Sequence, residues 1–370
     1  MDDQQRPAPD DVRRQLSDGM REQLELGRVF GGLATFGQRP FVPEVDRLQA
    51  WRPDVAIVGA PFDNSTTNRA GARFGPRAIR SLVYEPGSYH LDLGIEIFDW
   101  LEVVDHGDAH CPHGQTERSH ANIHDRVLGV AERGIVPVVL GGDHSITWPA
   151  ATAVAEVHGF GEVGMVHFDA HADTADTVDG NLASHGTLMR RLIESGAIPG
   201  THFVQVGLRG YWPPEETFRW MIDQGMRWHT MQEIWERGFK AVMAEAVAEA
   251  LASAELLYVS VDIDVLDPAH APGTGTPEPG GDGHRRPAPN GAPALPPAPG
   301  GRSRRGRGVA ALRRQRPHRQ RRPPGGVRDI GGAGRPAAPR RRGRAGAAGP
   351  LDAPVASGPR PVRSGGGRDG

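Results

Sequence analysis

The chain has 370 residues with a formal net charge of −2 at pH 7, and it is long enough to bury a sizeable hydrophobic core. Its single cysteine excludes an intrachain disulfide and is compatible with a reducing compartment. The N-terminus has no basic region followed by an apolar stretch, and no apolar run reaches membrane-spanning length, so we expect a cytoplasmic protein with no membrane partner.

The first predicted element in chain order is an amphipathic helix over residues 10–27, inside an N-terminal helical segment placed at residues 1–45. A buried strand over residues 54–60 follows. The stretch 69–80 is typical of a loop that enters a helix, and we expect most of its arginines to be exposed. Further β-branched runs, of the kind found in buried parallel strands, lie at 134–140, 164–168 and 255–261.

Each of these last three strands is followed by side chains of types that can ligate metal ions: His144 after the first, Asp169, His171 and Asp173 after the second, and Asp262 and Asp264 after the third. Residues two apart at a strand end point to the same side. The carboxyl ends of parallel strands are also the usual place for an active site in an open α/β sheet. Two histidines and four carboxylates suit two divalent ions, and this mixed set favours Mn(II) while leaving Fe, Co, Ni and Zn open.

The same residues lie in three ordered motifs: Gly-Gly-Asp-His-Ser at 141–145, Asp-Ala-His-Ala-Asp at 169–173 and Ser-Val-Asp-Ile-Asp-Val-Leu-Asp-Pro at 260–268. Together with Gly-Thr-Gly-Thr-Pro-Glu-Pro-Gly-Gly, which ends at Gly281, they resemble the ureohydrolases, the family of arginase, agmatinase and guanidinobutyrase. The resemblance implies a three-layer α/β/α fold with a mainly parallel sheet. It places a catalytic domain at residues 46–281 and implies a homo-oligomer, a trimer or a hexamer.

The resemblance also implies a role for each site residue. One Mn(II) ion would be bound by His144, Asp169, Asp173 and Asp262, and the second by Asp169, His171, Asp262 and Asp264, so Asp169 and Asp262 would bridge. Asp173 would orient the attacking water and pass on a proton. His185 would act as a proton shuttle near the substrate entrance, because the ordinary pKa of histidine is close to neutral; the alternative is a hydrogen-bonded loop histidine.

The implied reaction is hydrolysis of a small linear guanidino compound to urea and an amine. Agmatine is the favoured substrate because Asp176 and Asp179 can attract an amine tail. Arg209 can instead receive a carboxylate, so guanidinobutyrate stays open, as does a formiminoglutamase-like reaction. A further set of histidines, whose spacing fits no structural zinc pattern, is predicted to form a solvated loop and helix face: His106, His110, His113, His120 and His124.

The composition changes after Gly281. The first 281 residues contain 22 Lys and Arg against 41 Asp and Glu, whereas residues 282–370 contain 21 Arg against 4 Asp. This tail lacks Lys, Glu, Phe, Tyr and Trp and has too few apolar residues to build a core, so we expect it to be disordered. A tail rich in Arg and Gly can bind RNA, and then the chain would be a noncatalytic binding protein.

A frameshift is the favoured origin of the tail, and it makes a nucleic-acid partner unexpected. Arg, Gly, Pro and Ala dominate the tail, and all four have codons that begin with two G or C bases. A shifted codon consists of the second and third bases of one residue's codon and the first base of the next. Across residues 306–315 such codons allow the peptide Val-Glu-Val-Ser-Pro-Pro-Tyr-Asp-Val. This peptide resembles the family segment whose glutamate meets the substrate guanidinium. As written, the chain lacks that glutamate and the last strand and helices of the sheet, so we expect little or no activity.

Overall fold

The computed structural model describes residues 32–82 and 88–281. The helix predicted over residues 10–27 and the tail 282–370 lie outside these ranges, so both stay predictions, as do the proposed segment boundaries. Within the described ranges, no helix combines the length and the apolar character needed to cross a membrane.

The helices and strands alternate along the described chain, which is the pattern expected of a parallel α/β protein. Their bounds in chain order are α1 (Val45–Trp51), β1 (Val55–Ala60), α2 (Gly75–Leu82), β2 (Tyr89–His90), β3 (Ile95–Glu96), α3 (Ile97–Trp100), β4 (Val103–Asp108), α4 (Thr116–Ala131), β5 (Val136–Gly141), α5 (Thr147–His158), β6 (Val163–Phe168), α6 (Leu188–Glu194), β7 (Phe203–Leu208), α7 (Glu215–Asp223), β8 (Arg227–Thr230), α8 (Met231–Arg237), α9 (Phe239–Ala250) and β9 (Leu256–Val261). The four strands predicted from β-branched runs are confirmed within one or two residues as β1, β5, β6 and β9.

The described strands form two parallel sheets, with the orders β4-β1-β5 and β8-β7-β6-β9, and a short antiparallel hairpin of β2 and β3. The sequence predicted one mainly parallel sheet. In the described part of the chain, β5 and β9 are therefore sheet edges. Their carboxyl ends are nevertheless linked, because Ser260 Oγ in β9 lies 2.9 Å from His144 Nε2 and 3.2 Å from Thr147 Oγ1, both just after β5.

Helices cover both faces of the four-stranded sheet, which confirms the three-layer arrangement. Met165 on one face of β6 joins a core with α5 and α6, whereas Val166 and Phe168 on the other face pack with α8 and α9. Alternate residues of a strand point to opposite faces, so a run with no polar alternation is buried on both sides. All six residues of β6 are buried accordingly.

The prediction that the arginines of 69–80 are mostly exposed is wrong for two of them. Arg80 is 8% exposed, and it donates through Nε and Nη2 to Asp105 and through Nη1 to Asp108. Arg73 pairs with the buried Asp63. The two-pronged pair of Arg80 with Asp105 holds both side chains in a fixed orientation, so α2 is tied to β4.

Candidate metal centre

Two adjacent parallel strands place the central carboxylates opposite each other. Phe168, the last residue of β6, pairs with Val261, the last residue of β9. The N–H of Asp262 then donates to the carbonyl oxygen of Phe168 at 2.8 Å, which carries the ladder one residue further. Asp169 and Asp262, the next residue on each strand, therefore lie side by side at the carboxyl edge of the sheet.

The same hydrogen-bonded turn follows each of the three predicted strands. In each, an aspartate side chain accepts a hydrogen bond from the backbone N–H two residues later, which is a turn that aspartate favours. The pairs are Asp143 with Ser145 at 3.0 Å, Asp169 with His171 at 2.6 Å, and Asp262 with Asp264 at 2.9 Å. The turn directs the chain away from the sheet immediately after the strand, and the predicted metal ligands lie on it or beside it.

Gly142 allows the first of these turns to pack closely on β1. A Cβ atom at this position would lie 2.0 Å from the carbonyl oxygen of Phe62 and 2.6 Å from that of Ala60. These distances are shorter than any van der Waals contact. Only glycine fits there, which explains the glycine two residues before His144 in its motif.

His144 is the centre of the first group of donor atoms. Its Nδ1 lies 3.0 Å from an oxygen of Asp169, 3.0 Å from one of Asp173 and 3.3 Å from one of Asp262. The opposite nitrogen, Nε2, is occupied by Ser260 Oγ. Nδ1 is therefore the nitrogen of His144 that faces the candidate site.

A second group lies on the other side of Asp169. His171 Nδ1 is 3.0 Å from Asp264 Oδ2 and 3.5 Å from Asp169 Oδ1. Asp264 is 1% exposed and accepts hydrogen bonds from the backbone N–H of Ala170 at 3.1 Å and from the hydroxyl of Thr276 at 3.3 Å. The loop that contains Thr276 thus supports this second group directly.

The structure brings all six predicted metal ligands together, and it adds one residue that the sequence did not indicate. Donor atoms of His144, His167, Asp169 and Asp173 lie within 4.8 Å of one another, as do those of Asp169, His171 and Asp264. Asp262 belongs to neither of these compact groups, although it faces His144. His167 was missed because it lies inside the buried strand β6; its position two residues before Asp169, on the same face, was the available signal.

Burial and crowding decide the charge of the site carboxylates. Burial, reinforced by the negative charge of Asp169, raises the pKa of Asp173 to about 7 and that of Asp264 to about 8. Burial opposes ionisation of Asp169 as well, but hydrogen bonds from three histidines outweigh it and lower its pKa well below the usual range. The pKa of His171 rises to about 11, because its bonds to Asp169 and Asp264 outweigh burial. The site therefore stabilises positive charge among its carboxylates.

His185, the second predicted catalytic residue, lies on a loop that contacts the loop after β1. Its Nε2 is 3.2 Å from the N–H of Thr67 and 2.8 Å from the Thr67 hydroxyl. Burial, together with the positive charge of His144, lowers the pKa of His185 to about 4. His185 is therefore a neutral imidazole near pH 7, and its role as a proton shuttle stays a prediction.

Two of the three side chains expected to choose between substrate tails, Asp176 and Arg209, are already engaged, whereas Asp179 is exposed on its loop. Asp176 pairs with Arg191 at 3.1 Å and lies 3.5 Å from Arg190. Arg209 donates its guanidinium hydrogens to backbone carbonyl oxygens of residues 207, 264–266 and 278–279. Arg209 thus fixes two loops in place and has no donor directed to a substrate carboxylate.

The five histidines of the region 106–124 do not form a metal site in the described part of the chain, and none of them belongs to a metal-capable group there. His106 is fully buried with Nδ1 2.6 Å from the carbonyl oxygen of Val42, and His120 is buried with Nε2 2.9 Å from Ser145 Oγ. His124 lies between Asp125 and Glu156. The predicted solvated face is therefore wrong for His106 and His120, which are core residues.

Comparisons with known proteins agree with this geometry. Residues 53–286 match the model of the arginase family. Over 255 residues the chain is 42% identical to the guanidinobutyrase of Pseudomonas aeruginosa, which covers 68% of this chain and 77% of that protein. Over 225 residues it is 42% identical to the mitochondrial agmatinase of Gallus gallus, which covers 61% of this chain and 65% of that protein, slightly under two thirds of the relative's length.

A solved structure shows the same likeness. The proclavaminate amidino hydrolase of Streptomyces clavuligerus superposes with a TM-score of 0.61 at 36% identity, covering 68% of this chain and 81% of that one. The strand-end motifs, the three-layer fold and the family match cover the same part of the chain. This chain belongs to the arginase family.

Proposed function

We propose that this protein is a binuclear manganese hydrolase that releases urea from a small linear guanidino compound. The observation that carries the proposal is the convergence of three strand ends on one buried cluster of carboxylates and imidazoles. His144, Asp169, Asp173 and Asp262 would hold one ion, and Asp169, His171, Asp262 and Asp264 the other.

The donor set fits two divalent cations. Several carboxylates are buried together here, and their raised pKa values show how unfavourable that negative charge is without cations. Carboxylate and imidazole donors together suit Mn(II). The two histidines present Nδ1 to the carboxylates, and the far nitrogen of His144 is held by Ser260, the usual way of fixing a ligand ring.

When bound, the ions would supply Lewis acidity and lower the pKa of water towards neutrality. Asp173 would then orient the attacking water and hold its proton. A carboxyl group beside the attacking water can accept its proton and donate it to the departing amine. His185 is neutral near pH 7, so its contribution as a shuttle is proposed to be the smaller one.

Agmatine is the first candidate substrate and 4-guanidinobutyrate the second. The agmatinase and guanidinobutyrase relatives are equally similar in identity, and the longer alignment is with the guanidinobutyrase. Because Asp176 and Arg209 are engaged elsewhere, neither supports a choice of tail. We also propose that the protein forms a homo-oligomer, either a trimer or a hexamer.

Urea release tests this function. A frame-restored protein, in which the reading frame after codon 281 is shifted by one base, should release urea from agmatine when supplied with Mn(II). The 370-residue chain should release little, because the proposed guanidinium-binding glutamate is missing. Formamide release from a formimino substrate, or no urea from any guanidino compound with the restored protein, would contradict the proposal.

A further inference from the structure

A buried chain of hydrogen bonds lies behind Asp169, the carboxylate that the two donor groups share. His167 Nε2 is 2.9 Å from Asp169 Oδ2, and the amide nitrogen of Gln205 is 3.3 Å from His167 Nδ1. His167 and Gln205 are fully buried, and Asp169 is 1% exposed. A polar chain buried this deeply must be hydrogen-bonded in a definite direction, because solvent cannot complete it.

Gln205 sets that direction. Its side-chain nitrogen lies 2.5 Å from the carbonyl oxygen of Ala172, so the amide cannot be reversed without bringing two acceptor oxygens into contact. The second hydrogen of this nitrogen is then available to His167 Nδ1, which must accept it. A neutral imidazole that accepts at Nδ1 carries its proton on Nε2.

The remaining atom of the amide carries the cost of this orientation. Gln205 Oε1 is buried and has no hydrogen-bond partner in the described part of the chain. A buried acceptor without a partner costs about 1 to 3 kcal/mol. Two hydrogen bonds of the amide nitrogen, to the carbonyl oxygen of Ala172 and to Nδ1 of His167, offset this cost.

We propose that His167 is a positioning residue of the metal centre, whose Nε2–H donates to Asp169 Oδ2 and orients that carboxylate between the two donor groups. Gln205 holds His167 in the required tautomer. His167 lies among the donor atoms of the first group, but a proton on Nε2 leaves no lone pair there for an ion. His167 therefore acts on the ions through Asp169, and the inference rests on the proposed metal centre.

Mn(II) binding to the 370-residue chain separates hydrogen bonding from packing. His167→Gln keeps an N–H close to the position of Nε2, whereas His167→Phe keeps a ring and loses the donor. We expect His167→Phe to weaken Mn(II) binding roughly 10- to 100-fold, the range typical of partners behind a ligand, and His167→Gln to stay within about threefold of the unsubstituted chain. A role in packing alone predicts the reverse order.

His106→Phe is the matched control. His106 is as fully buried as His167, but its hydrogen bond goes to the carbonyl oxygen of Val42, away from the donor groups. We expect His106→Phe to bind Mn(II) as the unsubstituted chain does. A weakening equal to that of His167→Phe would show a general effect of removing a buried histidine and would overturn the positioning role.

Gln205→Glu tests the tautomer at almost unchanged volume. A carboxylate cannot donate to Nδ1, so the ring of His167 must move its proton to Nδ1 or become doubly protonated. Long-range proton–nitrogen correlation spectra of the metal-free chain with isotope-labelled histidine should show a neutral ring protonated at Nε2. The signal of the His167 ring should vanish in His167→Phe. In Gln205→Glu it should instead show a ring protonated at Nδ1 or at both nitrogens.

Two results would count against the inference in different ways. Mn(II) binding by His167→Phe as tight as by His167→Gln, or a ring of His167 protonated at Nδ1 in the unsubstituted chain, overturns the positioning role and leaves the metal centre standing. If the unsubstituted chain binds no Mn(II), the proposed function fails and this inference falls with it.

Discussion

The two parallel sheets contribute unequally to the candidate centre. The three-stranded sheet supplies His144 alone, whereas the four-stranded sheet supplies the other five proposed ligands: Asp169, His171, Asp173, Asp262 and Asp264. Within the four-stranded sheet, the register of β6 with β9 fixes Asp169 beside Asp262. The position of His144 depends instead on how the two sheets meet.

The difference shows which part of the site is set by neighbouring residues and which part depends on contacts between distant strands. The turns at Asp169 and Asp262 follow directly from strand pairing and from one hydrogen bond each. His144 reaches the same carboxylates only because Ser260 and Thr147 link the ends of β5 and β9. We propose that the frame-restored sequence adds a strand between these two edges and strengthens that link.

The largest expected effect comes from removing the carboxylate that both donor groups share. Asp169→Asn keeps the shape of the side chain but loses the charge, so we expect loss of both Mn(II) ions. This effect is larger than the roughly 10- to 100-fold loss of metal affinity expected when a residue that only hydrogen-bonds to a ligand is replaced. Metal analysis after dialysis measures this. Asp92→Asn, in an exposed turn, is the control and should keep both ions; retention of one ion by Asp169→Asn would contradict a shared role.

The next largest effect separates the two proposed catalytic residues on the four-stranded side. In the frame-restored protein, Asp173→Asn should lower kcat roughly 10²- to 10⁴-fold, the range for general acid–base groups. His185→Ala should cost less than about tenfold, because solvent or buffer can replace a shuttle that is already neutral near pH 7. Steady-state urea release measures both. Equal losses of kcat in the two variants, or recovery of Asp173→Asn activity by added buffer, would contradict the different roles proposed for Asp173 and His185.

The smallest effect concerns the three-stranded sheet, where His106 contributes to stability and not to metal binding. Burial lowers the folded pKa of His106 from 6.5 to about 4, so between these values the unfolded chain binds a proton that the folded chain does not. Stability is therefore fully present above pH 6.5 and is lost as the pH falls towards 4. From pH 7 to pH 5 this amounts to about 2 kcal/mol.

Urea unfolding of the metal-free chain at pH 7 and at pH 5 tests this contribution. His106→Phe should be less stable at pH 7, because the hydrogen bond to Val42 is lost, yet it should lose less stability on acidification than the unsubstituted chain. His120 has a similarly lowered pKa and leaves part of the acid sensitivity in place. An unchanged loss between the two pH values in His106→Phe would show that His106 is not the source.

Sequence patterns predicted what short stretches of chain determine. The β-branched runs located β1, β5, β6 and β9, and the motifs after the last three located the cluster, because strand ends and the turns that follow are set by neighbouring residues. His167 was not predicted, since it lies inside the buried strand β6 and its partner Gln205 comes beside it only when β6 and β7 pair. Arg80 was misjudged for the same reason: its partners Asp105 and Asp108 lie on another element. The lack of the last strand was predicted, but the resulting division of the described strands into two sheets was not, because pairing between distant strands leaves no local signal.

The number of Mn(II) ions bound by the 370-residue chain tests the central claim most directly. All proposed ligands lie between His144 and Asp264, upstream of the arginine-rich tail, so metal binding does not require the restored frame. Elemental analysis after saturation with Mn(II) and removal of free metal should give two ions per chain, and none for Asp169→Asn. One ion per chain, or two ions that persist in Asp169→Asn, would contradict a binuclear centre built on this carboxylate.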